Sequence, residues 1–257
     1  MKDRRERTPY REQVQEVIRF SDLIIEVVDA RFPKDSRNLG LEKDIIRAGK
    51  QLLIVIAKMD LVPEAFLKST HKDLCQEFPC VYLSNTEHHG SKRLFEIINR
   101  MRDGKSIRIG VIGYPNVGKS SVINLLRGHH SAPTSPLPGH TKSIQWVRIS
   151  KEILLVDTPG VVPLKGQRGL FLKGAMVIEK AENPVRVIYN FFDDLKRRDV
   201  FKKLQEHYKI SEEDNEAFLT ELARKQQMLL KGGLLDLNRA ARRVYIDWLK
   251  GRIKLHW

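Results

Sequence analysis

Apolar residues along this chain fall into two textures. Up to about residue 165, short runs rich in β-branched residues alternate with stretches at helical spacing. Gln13, Val14, Val17, Ile18 and Phe20 open the pattern, so residues 9–20 read as an amphipathic helix. Leu23-Ile24-Ile25-Glu26-Val27-Val28-Asp29 follows, an almost unbroken apolar run with the look of a strand buried on both faces. The same pattern returns at 52–57, 81–83, 107–112 and 153–156, with helical patterns at 41–48, 64–77 and 94–101 between. This alternation predicts βαβ units and an α/β fold with a mixed, mostly parallel sheet. Residues 144–149 followed by 151–156 predict a hairpin turning at Ser150-Lys151, so one strand runs antiparallel.

Beyond residue 165 the β-runs disappear. Helical patterns take over, broken by Asn183-Pro184, Ser211 and Gly232-Gly233. Leu204, Tyr208, Phe218, Leu222, Leu229, Leu230, Leu234, Leu235, Val244, Ile246 and Leu249 are the apolar residues that would fill a small bundle. We therefore expect two domains, an α/β domain over 1–164 and an all-α domain over 165–257. The long loop candidate is 128–140, which contains Pro133, Pro136, Pro138 and Gly139.

Candidate chemistry concentrates in the first domain. Gly113-Tyr114-Pro115-Asn116-Val117-Gly118-Lys119-Ser120 follows a predicted strand and precedes the helical pattern that starts at Ser121. That context distinguishes a phosphate-binding loop from a chance match. The two glycines let the backbone curl its amides toward phosphates, Lys119 brings positive charge, and the Ser120 hydroxyl is a ligand for Mg²⁺. The following helix adds the partial positive charge of its N-terminus. Asp157-Thr158-Pro159-Gly160 ends a strand one hairpin later, where the carboxylate can hold hydrated Mg²⁺ and the Gly160 amide can sense a terminal phosphate. Thr141 lies between these motifs, where its hydroxyl can reach Mg²⁺ and order the loop when a triphosphate is bound.

Upstream of the phosphate loop stands Ala57-Lys58-Met59-Asp60. The Asp60 carboxylate can accept both edge hydrogens of guanine, a pair that adenine does not offer. Ser84, Asn85 and Thr86, at the end of the next strand, would complete a base pocket. The expected GTP-binding set is therefore Lys58, Met59, Asp60, Ser84, Asn85, Thr86, Asn116, Val117, Gly118, Lys119, Ser120, Ser121 and Gly160. Catalysis falls to Lys119 and Thr141, joined by Asn116 on the resemblance drawn below, and Mg²⁺ to Ser120, Thr141 and Asp157.

Charge widens the picture. There are 46 Lys and Arg against 32 Asp and Glu, a net charge of +14. That surplus exceeds what one triphosphate needs and points to a polyanionic partner, foremost nucleic acid. The stretch from Arg239 to Arg252 is amphipathic, and Arg239, Arg242, Arg243 and Lys250 are its candidate phosphate contacts. Tyr245, Trp248 and Trp257 read as bundle core rather than base-stacking groups. No window has the ~20 apolar residues of a membrane span. Cys75 and Cys80, separated by four residues and with no His noted at ligand spacing, read as reduced thiols of a cytoplasmic protein and a poor zinc site.

In this order the motifs resemble the circularly permuted GTPases of the YlqF/YawG type, which are ribosome-assembly factors. Asp29-Ala30-Arg31-Phe32-Pro33 and Pro138-Gly139-His140-Thr141 look like two further motifs of that group. The likeness covers residues 10–165 and implies a circularly permuted Ras-like P-loop GTPase domain. For the C-terminal helices it implies only a general likeness to an RNA-contacting domain. Two positions depart from the pattern. Ala57 replaces an Asn that contacts guanine, so nucleotide affinity is expected to be reduced. Val161 stands where Ras-like enzymes carry a water-orienting Gln. By the same resemblance Asn116 implies a K⁺ ion between the nucleotide phosphates, and hence K⁺-stimulated hydrolysis. His129, His130 and His140 read as solvated loop residues. The expected protein is a monomeric, slow GTPase switch that binds ribosomal RNA or a large-subunit particle. The alternatives are an RNA-binding module with little or no hydrolysis, and a small-molecule kinase.

Overall fold

The computed structural model describes residues 9–84, 89–128, 136–137, 145–157, 178 and 181–257. The chain divides into two compact units, 1–165 and 166–257.

In the first unit, α1 (Pro9–Phe20) leads into β1 (Leu23–Asp29), a short α2 (Pro33–Ser36) and α3 (Leu39–Arg47). Then come β2 (Gln51–Ala57), a 3₁₀ turn at Met59–Leu61, α4 (Glu64–Leu74), β3 (Cys80–Leu83) and α5 (Ser91–Arg102). Next are β4 (Ile107–Ile112), α6 (Lys119–Gly128), β5 (Pro136–Leu137), β6 (Gln145–Arg148) and β7 (Ile153–Asp157). The sheet has seven strands in the order β3-β2-β1-β4-β7-β6-β5. The first five in that order run parallel, and β6 turns back antiparallel on β7.

All seven residues of β1 are buried, including Glu26 and Asp29. A central parallel strand is covered on both faces, which explains its nearly continuous apolar sequence. At Gly110 of β4 a Cβ would lie 2.5 Å from Val17 Cγ1, so glycine lets α1 pack directly on the strand. Parallel register gathers the strand ends at one edge: Asp29 pairs with Ala57, and Ala57 with Leu83. The motifs far apart in sequence meet there, as ligand sites in open α/β sheets do.

The elements agree with the sequence reading apart from a few boundaries. The helical pattern read over 64–77 ends at Leu74, capped by Cys75, because Pro79 forces extended backbone ahead of β3. α2 and β5, four and two residues long, were not foreseen. The cysteines correct a second expectation. Cys75 and Cys80 are joined as a disulfide, their Cα atoms 5.4 Å apart, within the span such a bond requires. His71, one helical turn before Cys75, also lies beside them, contrary to the expectation of no histidine at ligand spacing.

The second unit holds α7 (Pro184–Arg197), α8 (Phe201–Tyr208), α9 (Asn215–Lys225) and α10 (Leu237–Leu249). The breaks seen in sequence act as caps and turns. The Asn183 side chain accepts from the Arg186 amide ahead of Pro184, and Asp214 and Asp236 cap α9 and α10 in the same way. Gly232 and Gly233, both at positive φ, turn the chain back so that Leu229 pairs with Leu235, and this turn leaves Leu229, Leu230 and Leu234 exposed, contrary to the expectation that they fill the bundle. Edge-to-face contacts of Phe192 with Phe201 and Phe218, at 5.4 and 5.2 Å, centre the core, and the buried Trp248 packs on Phe191 at 5.3 Å. No helix among the described residues is long and apolar enough to cross a membrane.

Candidate nucleotide site

The loop from Gly113 to Gly118 joins β4 to α6, and Lys119 and Ser120 form the first turn of that helix. Gly113 has φ 145° and Gly118 φ 115°. A Cβ on Gly113 would lie 2.5 Å from the Val27 carbonyl, and one on Gly118 would lie 3.1 Å from Ala57 Cβ. Both glycines are thus required by backbone curvature and by close approach. Lys119 Nζ donates to the Tyr114 carbonyl at 2.6 Å, which folds the side chain back over the loop. Burial lowers its ammonium to about 8, a cost to the charged form that a bound phosphate would relieve. Ser120 and Asn116 are exposed, and Val117 is buried beneath the loop.

Asp157 ends β7, and β7 pairs with β4, from which the phosphate loop departs. Ser120, exposed at the head of α6, offers a hard oxygen of the type that Mg²⁺ takes, whereas the side chain of Asp157 lies outside the described residues. The cradle of curled glycines fits a phosphate chain carrying that ion. When bound, Mg²⁺ would supply positive charge against the phosphates, with Ser120 among the residues that would hold it.

A buried ion cluster ties the base-reading loop to the phosphate loop. Lys58 adopts the left-handed conformation at φ 64° between β2 and the 3₁₀ turn. Its ammonium donates to Asp29 Oδ2 at 2.9 Å and to the Asn116 carbonyl. Arg31 grips Asp29 with Nε at 2.9 Å and Nη2 at 2.8 Å, both side chains only 1% exposed. The Ser36 hydroxyl accepts from the Asp29 amide at 3.0 Å and so fixes the strand end. Burial works to raise the Asp29 carboxyl, but Arg31 and then Lys58 outweigh it and hold the group below its ordinary value. Burial also moves Lys58 below the ordinary ammonium value, against the pull of Asp29. Asp29, Arg31 and Ser36 were not among the site residues read from sequence. The Asp29-Ala30-Arg31 motif was the available signal, but its pairing with Lys58 spans a fold-level contact.

Ala57 is buried with its methyl against Gly118, so the loops touch without the side-chain amide the family pattern supplies there. Ser84 is buried at the end of β3, and its amide donates to the His89 carbonyl at 3.2 Å. Met59 and Asp60 lie half-buried in the 3₁₀ turn, and Ser121 in the first turn of α6. Asn85, Thr86, His129, His130, His140, Thr141, Gly160 and Val161 lie outside the described residues. On α10, Tyr245 and Trp248 are buried, as read from sequence. Arg243 is drawn to the buried Asp247 at 2.7 Å, whereas Arg239 is exposed, Arg242 is half-buried, and Lys250 caps the helix end through its backbone amide.

A glycine loop leaving β4 for α6, the Lys58 loop at the end of β2 upstream of it, and Asp157 at the end of β7 define the fold of a P-loop domain with permuted motif order. The family model described as RsgA GTPase matches residues 7–166, and that described as 50S ribosome-binding GTPase matches residues 108–230. An uncharacterized GTP-binding protein of Methanocaldococcus jannaschii is 35% identical over 98% of this chain and 68% of its own length. Nucleolar GTP-binding protein 2 of Schizosaccharomyces pombe is 35% identical over 94% of this chain, which spans 46% of that protein. The chain thus spans about half the length of its eukaryotic relatives. The crystal structure of YlqF from T. maritima superposes with a TM-score of 0.69 at 23% identity, covering 95% of both chains. The chain belongs to the family described as RsgA GTPase, and its fold is that of YlqF, with the same permuted order of motifs.

Proposed function

We propose that this protein is a GTP-hydrolysing switch of ribosome assembly that docks, as a cytoplasmic monomer, on ribosomal RNA of a large-subunit particle. The observation that carries the reading is the contact of Lys58 with both Asp29 and the Asn116 carbonyl, which makes the base-reading loop and the phosphate loop one unit. The net charge of +14 and the match to the family described as 50S ribosome-binding GTPase support the choice of partner. In this reading Asp60 selects guanine, and Ser84, Asn85 and Thr86 wall the base. The amides of Asn116 to Ser121 and Lys119 hold the phosphates. Ser120, Thr141 and Asp157 hold Mg²⁺, and Gly160 senses the γ-phosphate. Asn116, exposed at the lip of the loop with φ 62°, supports a K⁺ ion that supplies positive charge in place of an arginine finger. Val161 has no polar group to orient water, so turnover is slow until the particle and K⁺ complete the site.

The test is GTP turnover in KCl and in NaCl, each with and without purified large subunits. Stimulation by K⁺ and by the particle is the expected result. Tight GTP binding with no turnover under any condition would remove the hydrolytic switch.

A further inference from the structure

A second cluster of ligand-type side chains lies at the opposite end of β3 from Ser84. His71 sits on the last turn of α4, Cys75 caps that helix, and Cys80 opens β3. The spacing of His71 and Cys75, four residues on a helix, puts them on one face. His71 Nδ1 stands 3.3 Å from Cys75 Sγ and 4.0 Å from Cys80 Sγ. The three ligand atoms all lie within 4.8 Å of one another, the imidazole exposed and both cysteines half-buried. In a tetrahedral zinc site, with bonds of about 2.3 Å to sulfur and about 2.0–2.1 Å to nitrogen, neighbouring N and S ligands are roughly 3.5 Å apart. The two observed N–S separations bracket that value.

We propose that His71, Cys75 and Cys80 form a redox-gated zinc site. In the oxidised chain the sulfurs are joined and offer no thiolate. A small dithiol reductant gives two electrons and two protons to the disulfide, becomes a cyclic disulfide itself, and leaves two thiols. One Zn²⁺ then displaces both thiol protons and takes the two thiolates and the His71 imidazole. Its fourth position faces solvent and takes water. A disulfide alone would need no imidazole at its side. His71 is the residue that turns a clip between α4 and β3 into a ligand set, and β3 is the strand whose far end carries Ser84. Either the disulfide or the metal ties the same turn.

The full chain, reduced and then freed of reductant under anaerobic conditions, is titrated with Co²⁺ alone. One equivalent should bind with a sulfur-to-cobalt charge-transfer band of two thiolates, and Zn²⁺ should bleach it. Cys80→Ser should lose half or more of the band. His71→Ala should weaken cobalt binding about tenfold or more, the range that loss of even an outer-shell partner reaches. The oxidised chain should give no band. The proposal is overturned if the reduced, folded chain shows two titratable thiols but no charge-transfer band at a large excess of cobalt. Equal affinity in His71→Ala would also overturn it, as would a disulfide that resists reduction while the chain stays folded.

Discussion

Among single residues, Arg31 separates a structural from an electrostatic account of the site. It neutralises a fully buried carboxylate whose other partner, Lys58, also contacts the phosphate loop. Arg31→Met should therefore cost roughly 3–5 kcal/mol of unfolding free energy, because breaking a buried pair strands the remaining charge. Denaturant unfolding of the two proteins measures this, and an unchanged midpoint would mean that Asp29 is satisfied by Lys58 alone. Lys58→Met should lower guanine-nucleotide affinity with a smaller loss of stability, since Arg31 still holds Asp29. Lys119 gives a different signature. Burial holds it at about 8, and a bound phosphate chain can only raise it. Below that value Lys119 is charged in both states, so affinity is flat. Above it, binding must take up a proton, and affinity should fall by up to about tenfold per pH unit until the bound-state value is passed. Calorimetry in buffers of different ionisation enthalpy should find proton uptake on nucleotide binding near about pH 9 and almost none near about pH 6.5. Uptake that persists in Lys119→Met would assign the proton elsewhere.

The contact between β1 and α3 carries a carboxyl pair. Glu26 is buried in β1, its Oε1 accepts from the Asn38 amide at 2.7 Å, and Glu42 of α3 faces it while pairing with Arg37 at 2.6 Å. Burial, reinforced by the Glu42 charge, raises Glu26 to about 8 from an ordinary 4.5. Between those values the folded protein keeps a proton that the unfolded chain releases. This contribution to stability is therefore complete below about pH 4.5 and is lost as pH rises to about 8. Glu26→Gln keeps the acceptor for Asn38 and removes the charge. It should raise the melting temperature at pH 8, by about 2–4 °C for each kcal/mol regained, and change little at pH 4. Parallel melts at the two pH values decide it; an equal shift at both would point to packing instead. The same elements show what the sequence could reveal. β1 and β2 were legible because a central parallel strand must be apolar on both faces, and Glu26 and Asp29 did not hide the run. The phosphate loop was legible because its residues are contiguous. The Asp29–Lys58 contact was not, since it joins residues 29 apart through strand register. His71 was overlooked because its link to Cys75 is a helical one, and Cys80 joins them only through the α4–β3 turn.

For the whole molecule, the distribution of charge decides what a salt titration will report. Residues 166–257 hold 19 Lys and Arg against 13 Asp and Glu, and residues 1–165 hold 27 against 19. The surplus is therefore shared, and the helical unit has no monopoly on cations. Within α10 the cations also differ in kind. Arg243 is committed to Asp247, which a second guanidinium, Arg252, and the Tyr208 hydroxyl also approach, at 2.6 and 3.0 Å. An Arg243→Gln change should act chiefly on stability, because it withdraws one partner from a buried carboxylate. Arg239 and Arg242 are the residues free to meet phosphates in the reading proposed above. Each phosphate neutralised contributes about 0.7–0.9 to the slope of log affinity against log salt. The Arg239→Gln/Arg242→Gln double variant should therefore bind ribosomal RNA more weakly and lower that slope by about 1.4–1.8, leaving the remainder in place. Filter binding across a salt series measures both quantities for the variant and the parent. A slope that falls to zero would confine the interface to α10 despite the charge of the first unit. An unchanged slope would move the interface off this helix, and the shared surplus makes the α/β unit the place to look next.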